Sequence, residues 1–299
     1  MRLGQSNDEN RDEVLRQFAS WVPSIGNGEF SNVDSTDSNL SEFDVDLPQR
    51  YCNMSKSNSI EKMIDAVFPN MEKQYHSPRY LGKRAILTPT NKTASYINSV
   101  IVDKLPGEAI SYFSRDEAQE FGGSESEFPM CFPYEYLHKL NMPGVPAHEL
   151  ILKEGAMVML MRNLDQTVSL CNGTRMIVTK CLKHSVQCEV ICGSSVGLRF
   201  FIPRIECCPS DTKLTSEFIR NQLPLQICYA MTINKSQGQS LSFVGLYLPT
   251  HVFSHGQLYV AISRVTSPEG LQIFIDDEFG QCTCRTKNVV YPEVFYNIT

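Results

Sequence analysis

The chain reads as an α/β protein: a parallel sheet with helices, into which a small antiparallel β-barrel is inserted. Three observations predict this. The apolar run Arg84–Thr88 leads through Pro89-Thr90-Asn91 into a helical pattern, the strand–turn–helix order of parallel sheets. From 149 to 206, short β-type runs alternate with turn signals at hairpin spacing. Beyond 222 the α/β pattern resumes. The expected organisation is a helical and loop linker at 1–80, an α/β domain built from 81–148 and 207–299, and the inserted barrel at 149–206.

Each element has its own warrant. Val14, Leu15, Phe18 and Trp21 fall at helical spacing, so a helix is expected over 8–21, stopped by Pro23 and Gly26. Residues 26–59 are rich in Ser, Asn, Asp and Gly and read as a long loop. Ile60, Met63, Ile64 and Val67 form one stripe of a second helix over 58–68, ended by Pro69. Ala94, Ile97, Ile101 and Leu105 share a face of the helix after the first strand, which stops at Pro106-Gly107. Val158, Leu160, Ile177, Val178, Val190, Ile191, Phe200 and Ile202 mark the barrel strands. Segments 222–232, 242–248 and 271–275 read as strands and 254–265 as a helix. In that helix Ser254 and Gln257 suit a capping box, and Leu258, Ala261, Ile262 and Val265 suit the buried face.

Bulk composition narrows the function. The 299 residues are 42% apolar and 20% charged, enough for roughly two domains. The net charge of −6 hides a segment, 151–205, with 7 basic and 3 acidic residues. A basic strip of that kind suits either a nucleic-acid groove or an ordinary solvated surface. The 11 cysteines contain no C-x-x-C pair, which argues against structural zinc and for a reducing compartment. The histidines show no metal spacing: His251 and His255 are four apart with no third ligand. No apolar run approaches the ~18 residues of a membrane span, and no signal-peptide pattern opens the chain.

Two stretches carry the chemistry. In Ala230-Met-Thr-Ile-Asn-Lys-Ser-Gln-Gly-Gln239 a strand runs into a polar turn that closes on Gly238. Gln257-Leu-Tyr-Val-Ala-Ile-Ser-Arg264 is a helix carrying one arginine, set on the side of Val260 and Ala261. Backbone N–H groups of Gly238 and Gln239 plus the Arg264 guanidinium suit a terminal phosphate. Thr232, Asn234, Lys235 and Ser236 would then touch a nucleic-acid backbone. Thr90 and Asn91 sit where a parallel sheet binds ligands, beyond a strand's C-terminal end. The bland readings are a helix-ending glycine and a surface arginine near a helix C-terminus. No G-x-x-x-x-G-K-[S/T] loop occurs in the 299 residues, so the α- and β-phosphates have no cradle. The acidic pair Asp276-Asp277 then reads as a strand exit, not a Mg²⁺ site. No G-x-S-x-G elbow marks a hydrolase.

These stretches lie in longer text that resembles a known family. "FASWVPSIGNGE" (18–29), "RAILTPTNKTASYIN" (84–98), "FPYEYLHKLNMPGVPAHELILKEGAMVMLMRNLDQTVSLCNGTRMIVTK" (132–180), "AMTINKSQGQSLSFVGLYLP" (230–249), "FSHGQLYVAISRV" (253–265) and "TKNVVYPEVF" (286–295) resemble the C-terminal half of eukaryotic Pif-type (petite integration frequency) DNA helicases, the RecD-like branch of superfamily one, including Helitron-transposon forms.

The resemblance implies a second RecA-like domain with an inserted SH-three-like barrel. It implies ATP hydrolysis with Mg²⁺, coupled to 5′-to-3′ DNA unwinding in repair, recombination and telomere maintenance, in the nucleus. It implies that Arg264 is an arginine finger, that Arg2 (in text like the tail of motif IV), Gly238 and Gln239 face nucleotide, and that Thr90, Asn91, Thr232 and Lys235 face single-stranded DNA. The family's phosphate-loop lysine, acidic Mg²⁺ pair and water-positioning glutamine have no counterpart here. The chain alone is therefore expected neither to hydrolyse ATP nor to unwind DNA, and to need a first RecA-like domain as partner. Two other readings stand beside this one: a stand-alone single-strand DNA binder, and a non-functional transposon relic.

Overall fold

The structure is a computed structural model, and it describes residues 9–29, 43–54, 60–120, 132–209, 216–275, 283–291 and 293. Two compact units emerge. One comprises Met1–Met71, Lys83–Ser99 and Tyr229–Thr299, the other Glu72–Gly82 and Val100–Cys228. The second unit therefore interrupts the first and reaches well beyond the 149–206 segment.

In the first unit, four strands form a wholly parallel sheet in the order Ala230–Thr232, Arg84–Thr88, Phe243–Leu248, Leu271–Ile275. The strands are near-continuous apolar runs because helices cover the sheet. Helix Ile60–Val67 sits directly on Gly245, where an added Cβ would come within 2.4 Å of the Val67 side chain. The expected apolar face of helix Asn91–Lys104 is buried at Ala94, Ile97 and Ile101, with Leu105 just beyond it.

Asn98 lies on that same buried face. Its Nδ2 donates to the Ala230 carbonyl at 2.9 Å, and its Oδ1 accepts from the Ala230 N–H at 2.7 Å. Ala230 opens the strand that is outermost among the described residues, and the Asn98 amide stands there in the place of a neighbour strand.

Helix Glu9–Asn27 runs straight through Pro23, where a stop was expected. Phe18, Trp21, Val22 and Ile25 make a buried stripe that spans the proline, and this burial outweighs the lost backbone hydrogen bond. Gly26 is a packing glycine: a Cβ there would lie 2.9 Å from the Tyr259 ring. The helix ends at Gly28, with φ +73, where Glu29 N–H reaches the Ser24 carbonyl and Gly28 N–H the Ile25 carbonyl, a Schellman ending.

The second unit is antiparallel. Its largest sheet runs Leu225–Ile227, Met157–Leu160, Arg175–Cys181, Ser185–Val190, Arg199–Pro203. The expected strands are present, but among the described residues the outer strands do not pair to close a barrel. The segment 222–232 is not one strand. Pro224 breaks it, Leu225–Ile227 joins the antiparallel sheet, and Ala230–Thr232 joins the parallel one.

A smaller apolar cluster of Leu137, Val145, Cys207 and Phe218 surrounds a buried ion pair. Arg220 donates to both oxygens of Asp116, at 2.9 and 2.7 Å, and to the carbonyls of Leu137, Leu140 and Pro146. Ser114 Oγ donates to Asp116 at 2.6 Å and lies 2.8 Å from His148 Nδ1. With the Ser114 proton on the carboxylate, His148 Nδ1 must be the donor to Ser114. His148 also stacks on His138, with ring centroids 3.7 Å apart.

The basic strip is largely consumed by structure. Lys153 Nζ donates to the carbonyls of Asp103 and Leu105, and buried Arg175 donates to those of Leu81 and Gly82. Arg162 donates to the Cys208 carbonyl, Arg204 to that of Phe113, and Arg199 pairs with Glu189 at 2.8 Å.

Replacing Asn98 by Ala leaves the buried Ala230 N–H and C=O without these partners and should cost about 2–4 kcal/mol in urea unfolding. Asp116→Asn should cost about 3–5 kcal/mol, because the Arg220 charge stays buried without its counter-ion. The pH dependence has a definite sign. Burial, reinforced by the nearby His138, holds His148 below the usual histidine range, so the unfolded chain takes up its proton first and stability falls as pH drops below about 6.5. Burial alone would raise Asp116, but hydrogen bonds from Arg220 and Ser114 outweigh it and hold it low. A further loss is thus expected below about pH 3.9, read by the urea midpoint as a function of pH.

Candidate nucleotide and nucleic-acid edge

The candidate residues of the first unit gather at the C-terminal edge of its parallel sheet. Thr232 lies opposite Thr88 in the strand register, so both strands run out at the same level. Past Thr88, Thr90 opens helix Asn91–Lys104: its Oγ1 accepts from Thr93 N–H at 3.3 Å and contacts Thr93 Oγ1 at 2.9 Å. Capping therefore occupies the Thr90 hydroxyl, while Asn91 is exposed. Past Thr232, a tight 3-10 turn covers Ile233–Ser236. Ile233 enters the core, and Asn234 and Lys235 are left exposed on the edge.

Ser236 departs from expectation. It is fully buried, and its hydroxyl donates to the Ile233 carbonyl at 2.6 Å. It shapes the turn and does not face a ligand. The Gln239 N–H is likewise engaged, donating to the Ser236 carbonyl at 3.0 Å, so it cannot be the phosphate donor the sequence suggests. Gly238 remains suited: it is exposed at φ +78, nothing crowds its α-carbon, and its N–H makes no hydrogen bond among the described residues.

Helix Gln257–Ile262 supplies the arginine. It is shorter than expected and starts from Gly256 at φ +67. Half of the expected capping box forms: Gln257 Oε1 accepts from the N–H groups of Phe253, at 3.1 Å, and Ser254, at 3.4 Å. No side-chain cap comes from the other direction. Leu258, Ala261, Ile262 and Val265 are buried, as their spacing implies.

Just past the helix, Arg264 is half-buried. Its Nε donates to the Val260 carbonyl at 3.0 Å, Nη1 to the Gln239 carbonyl at 3.3 Å, and Nη2 to Ser263 Oγ at 2.9 Å. The backbone is zipped at the same place, with Leu241 N–H on the Arg264 carbonyl and Thr266 N–H on the Leu241 carbonyl, both at 2.9 Å. The two stretches distant in sequence thus form one structure, with Arg264 bonded to the residue that follows Gly238. Arg2, and the Asp276-Asp277 pair, lie outside the described residues.

These groups fit one phosphate's worth of charge. A guanidinium has five N–H groups, three of which Arg264 spends on protein acceptors, and Gly238 adds a backbone donor. The described edge shows no basic set that would hold a longer polyphosphate and no cluster of carboxylates for Mg²⁺. In the second unit, Asp116, His138 and His148 bring three ligand atoms within 4.8 Å, a grouping that sequence spacing does not reveal. Both Asp116 oxygens are taken by Arg220, whose charge opposes a cation there.

Residues 135–181 match the family model of the 2B domain of DNA helicase Pif1. The chain is 33% identical to the ATP-dependent DNA helicase PIF1 of Xenopus laevis over 58% of its length and 24% of the relative's, and 38% identical to the human protein over 43% and 20%. The chain is related to the Pif1 helicases over part of their length. It spans about a quarter or less of these relatives, and 56% of the Campylobacter jejuni Pif1, to which it is 24% identical over 82% of its own length. Its fold resembles the crystal structure of Pif1 helicase from Candida albicans, with TM-score 0.54 and 21% identity over 86% of this chain and 53% of that one. It resembles Bacteroides Pif1 in complex with ADP-AlF3 and ssDNA equally, with TM-score 0.54 and 18% identity over 99% and 54%.

Two substitutions separate architecture from surface here. Ser236→Ala should cost about 1 kcal/mol by deleting a buried hydrogen bond, whereas Lys235→Ala should stay within about 0.5 kcal/mol. Chemical denaturation of both variants checks the assignment.

Proposed function

We propose that this chain supplies the C-terminal portion of an ATP-dependent 5′-to-3′ DNA helicase. On this reading the parallel-sheet unit is a second RecA-like domain, and the five-stranded antiparallel sheet belongs to an SH-three-like insertion. Arg264 is the arginine finger, Gly238 offers the nearby backbone donor, and Gln239 positions the arginine through its carbonyl. Arg2 joins them as a second nucleotide-facing cation. Asn91, Asn234 and Lys235 track a single-stranded DNA backbone, with Thr90 and Thr232 shaping that edge. ATP, with Mg²⁺, would be held mainly by a first RecA-like domain in cis or in trans. When bound, it would supply the phosphoryl group whose charge Arg264 offsets.

The observation that carries this reading is the bond from Arg264 to Gln239. It joins the guanidinium to the polar turn whose exposed Lys235 and Asn234 lie on the ligand-binding edge of a parallel sheet. A finger arginine stabilises charge on a nucleotide that another element holds, so the reading also accounts for a chain with no phosphate loop.

The test joins the 299-residue chain to a Pif-type first domain carrying a phosphate loop. DNA-stimulated ATP hydrolysis should appear in the joined protein and be absent from either part alone. Arg264→Ala should then lower kcat about 10³-fold or more, without unfolding the protein. Lys235→Ala should weaken single-strand binding and lessen its salt dependence while sparing basal hydrolysis. Undiminished hydrolysis by the Arg264→Ala protein would refute the assignment.

A further inference from the structure

In the first unit, two cysteines far apart in sequence meet. Cys52 follows a short 3-10 turn and is extended, at φ −91 and ψ 131. It bridges Ile273 in parallel, and the next residue, Asn53, donates its N–H to the Ile273 carbonyl at 2.8 Å. Extended backbone sends residues 52 and 54 to the same side.

Cys284 arrives from the other end of the chain. Its carbonyl accepts from Leu47 N–H at 2.9 Å, and Thr283 N–H reaches the Ile275 carbonyl at 3.1 Å. The following strand, Arg285–Lys287, pairs antiparallel with Asp44–Asp46, and Arg285 grips Asp46 at 2.8 Å. The backbone on both sides is thus registered, Cys52-Asn53 and Thr283 against strand Leu271–Ile275, and Cys284–Lys287 against Asp44–Leu47.

The side chains converge accordingly. Cys284 Sγ contacts Met54 Sδ at 3.4 Å, on the side of the extended segment that Met54 shares with Cys52, and the Cys284 thiol lies close enough to help push the Cys52 thiol up. Three sulfur atoms from two chain segments therefore lie together. Cys52 and Met54 also line an open cavity of about 520 Å³, with Arg50, Asn53, Glu269 and Gln272, so small solutes can reach these two side chains. The helicase reading uses none of these residues.

We propose that Cys52 and Cys284 form a peroxide-sensitive dithiol that oxidises to an intrachain disulfide. Burial, and then the neighbouring thiol, push the Cys52 thiol up, so Cys52 keeps its proton and Cys284 is the attacking sulfur. The Cys284 thiolate attacks one oxygen of a hydroperoxide. The O–O bond breaks, hydroxide or alkoxide leaves, and the sulfur becomes a sulfenic acid. The Cys52 sulfur then displaces the sulfenic hydroxyl, which departs as water with the Cys52 proton. Two thiols and one hydrogen peroxide give one disulfide and two waters, the sulfurs being oxidised and the peroxide reduced. The bond would tie the 44–54 segment covalently to 283–291, which are otherwise joined here by a two-stranded ladder of three residue pairs.

Other cysteines are internal controls. Cys188 is buried, with its thiol pushed up to about 12, and should stay reduced. The experiment treats the reduced full chain with stoichiometric hydrogen peroxide, alkylates remaining thiols, digests and maps the peptides by mass spectrometry. The expected result is a joined peptide pair containing Cys52 and Cys284, loss of those two thiols, and reversal by dithiothreitol. In Cys52→Ser the disulfide should vanish and Cys284 should be trapped as a sulfenic acid by a 1,3-diketone. Recovery of Cys52 and Cys284 as alkylated thiols after such treatment would overturn the proposal, as would pairing of Cys284 with Cys282 instead. Because the readout is a mapped bond, it stands whether or not the chain proves to be part of a helicase.

Discussion

The amide of Asn98 holding both polar groups of Ala230 is the contact on which the candidate edge depends. Ala230 opens a strand of only three residues at the margin of the parallel sheet. So short a strand has little ladder of its own, and among the described residues its outer side has no neighbour strand. Asn98 reproduces a strand's donor and acceptor from a helix packed on the sheet, at 2.9 and 2.7 Å. With Ala230 fixed, Thr232 falls level with Thr88, the turn through Ser236 begins at a defined height, and Gln239 arrives where Arg264 can bind its carbonyl. The chain has just returned from a 129-residue excursion, Val100–Cys228, so this re-entry point needs a specific lock.

The second unit spends charge differently. Arg220, Arg175 and Lys153 are buried or nearly so, and each faces backbone carbonyls, with a carboxylate added for Arg220. Most of the carbonyls these cations satisfy lie in or just past the last turn of a helix, where backbone acceptors have no partner within the helix. Such groups contribute little net stability compared with apolar replacements, but removing one partner is costly. A count of basic residues along 151–205 therefore overstates the positive surface. Lys180 and Lys183 stay exposed, whereas Arg175 and Lys153 are structural.

Much of the fold was legible because periodicity and burial agree. The stripe Ala94, Ile97, Ile101 and the strands 84–88 and 271–275 are found as the pattern implies. The failures have physical causes. Pro23 looked like a stop because its missing N–H is a local property, whereas the stripe from Phe18 to Ile25 is a tertiary one. Segment 222–232 looked continuous because apolar content does not reveal that the chain changes sheets at Cys228-Tyr229. Ser236 resembled its polar neighbours, yet a 3-10 turn places every third residue on the same side, so Ile233 and Ser236 are both buried. Asn98 was overlooked because an asparagine in a helix reads as a neutral surface residue. Its position one past Ile97 on the buried face was the available signal. The Asp116–Arg220 pair and the Met54–Cys284 contact join residues more than 100 positions apart, and no local pattern announces them.

Arg264 is held by its own unit. Three N–H groups are committed to Val260, Gln239 and Ser263, which fixes the guanidinium plane and removes much of the entropy an arginine would otherwise lose on meeting a ligand. Fixing also reduces reach. A guanidinium bonded within its own unit keeps two N–H groups for a further acceptor. The Gln239 carbonyl matters for the same reason: together with the Leu241 N–H on the Arg264 carbonyl, it ties the arginine to the end of the polar turn. On the proposed reading, a DNA strand bearing on Lys235 and Asn234 would therefore alter the aim of Arg264 through a connection only a few residues long.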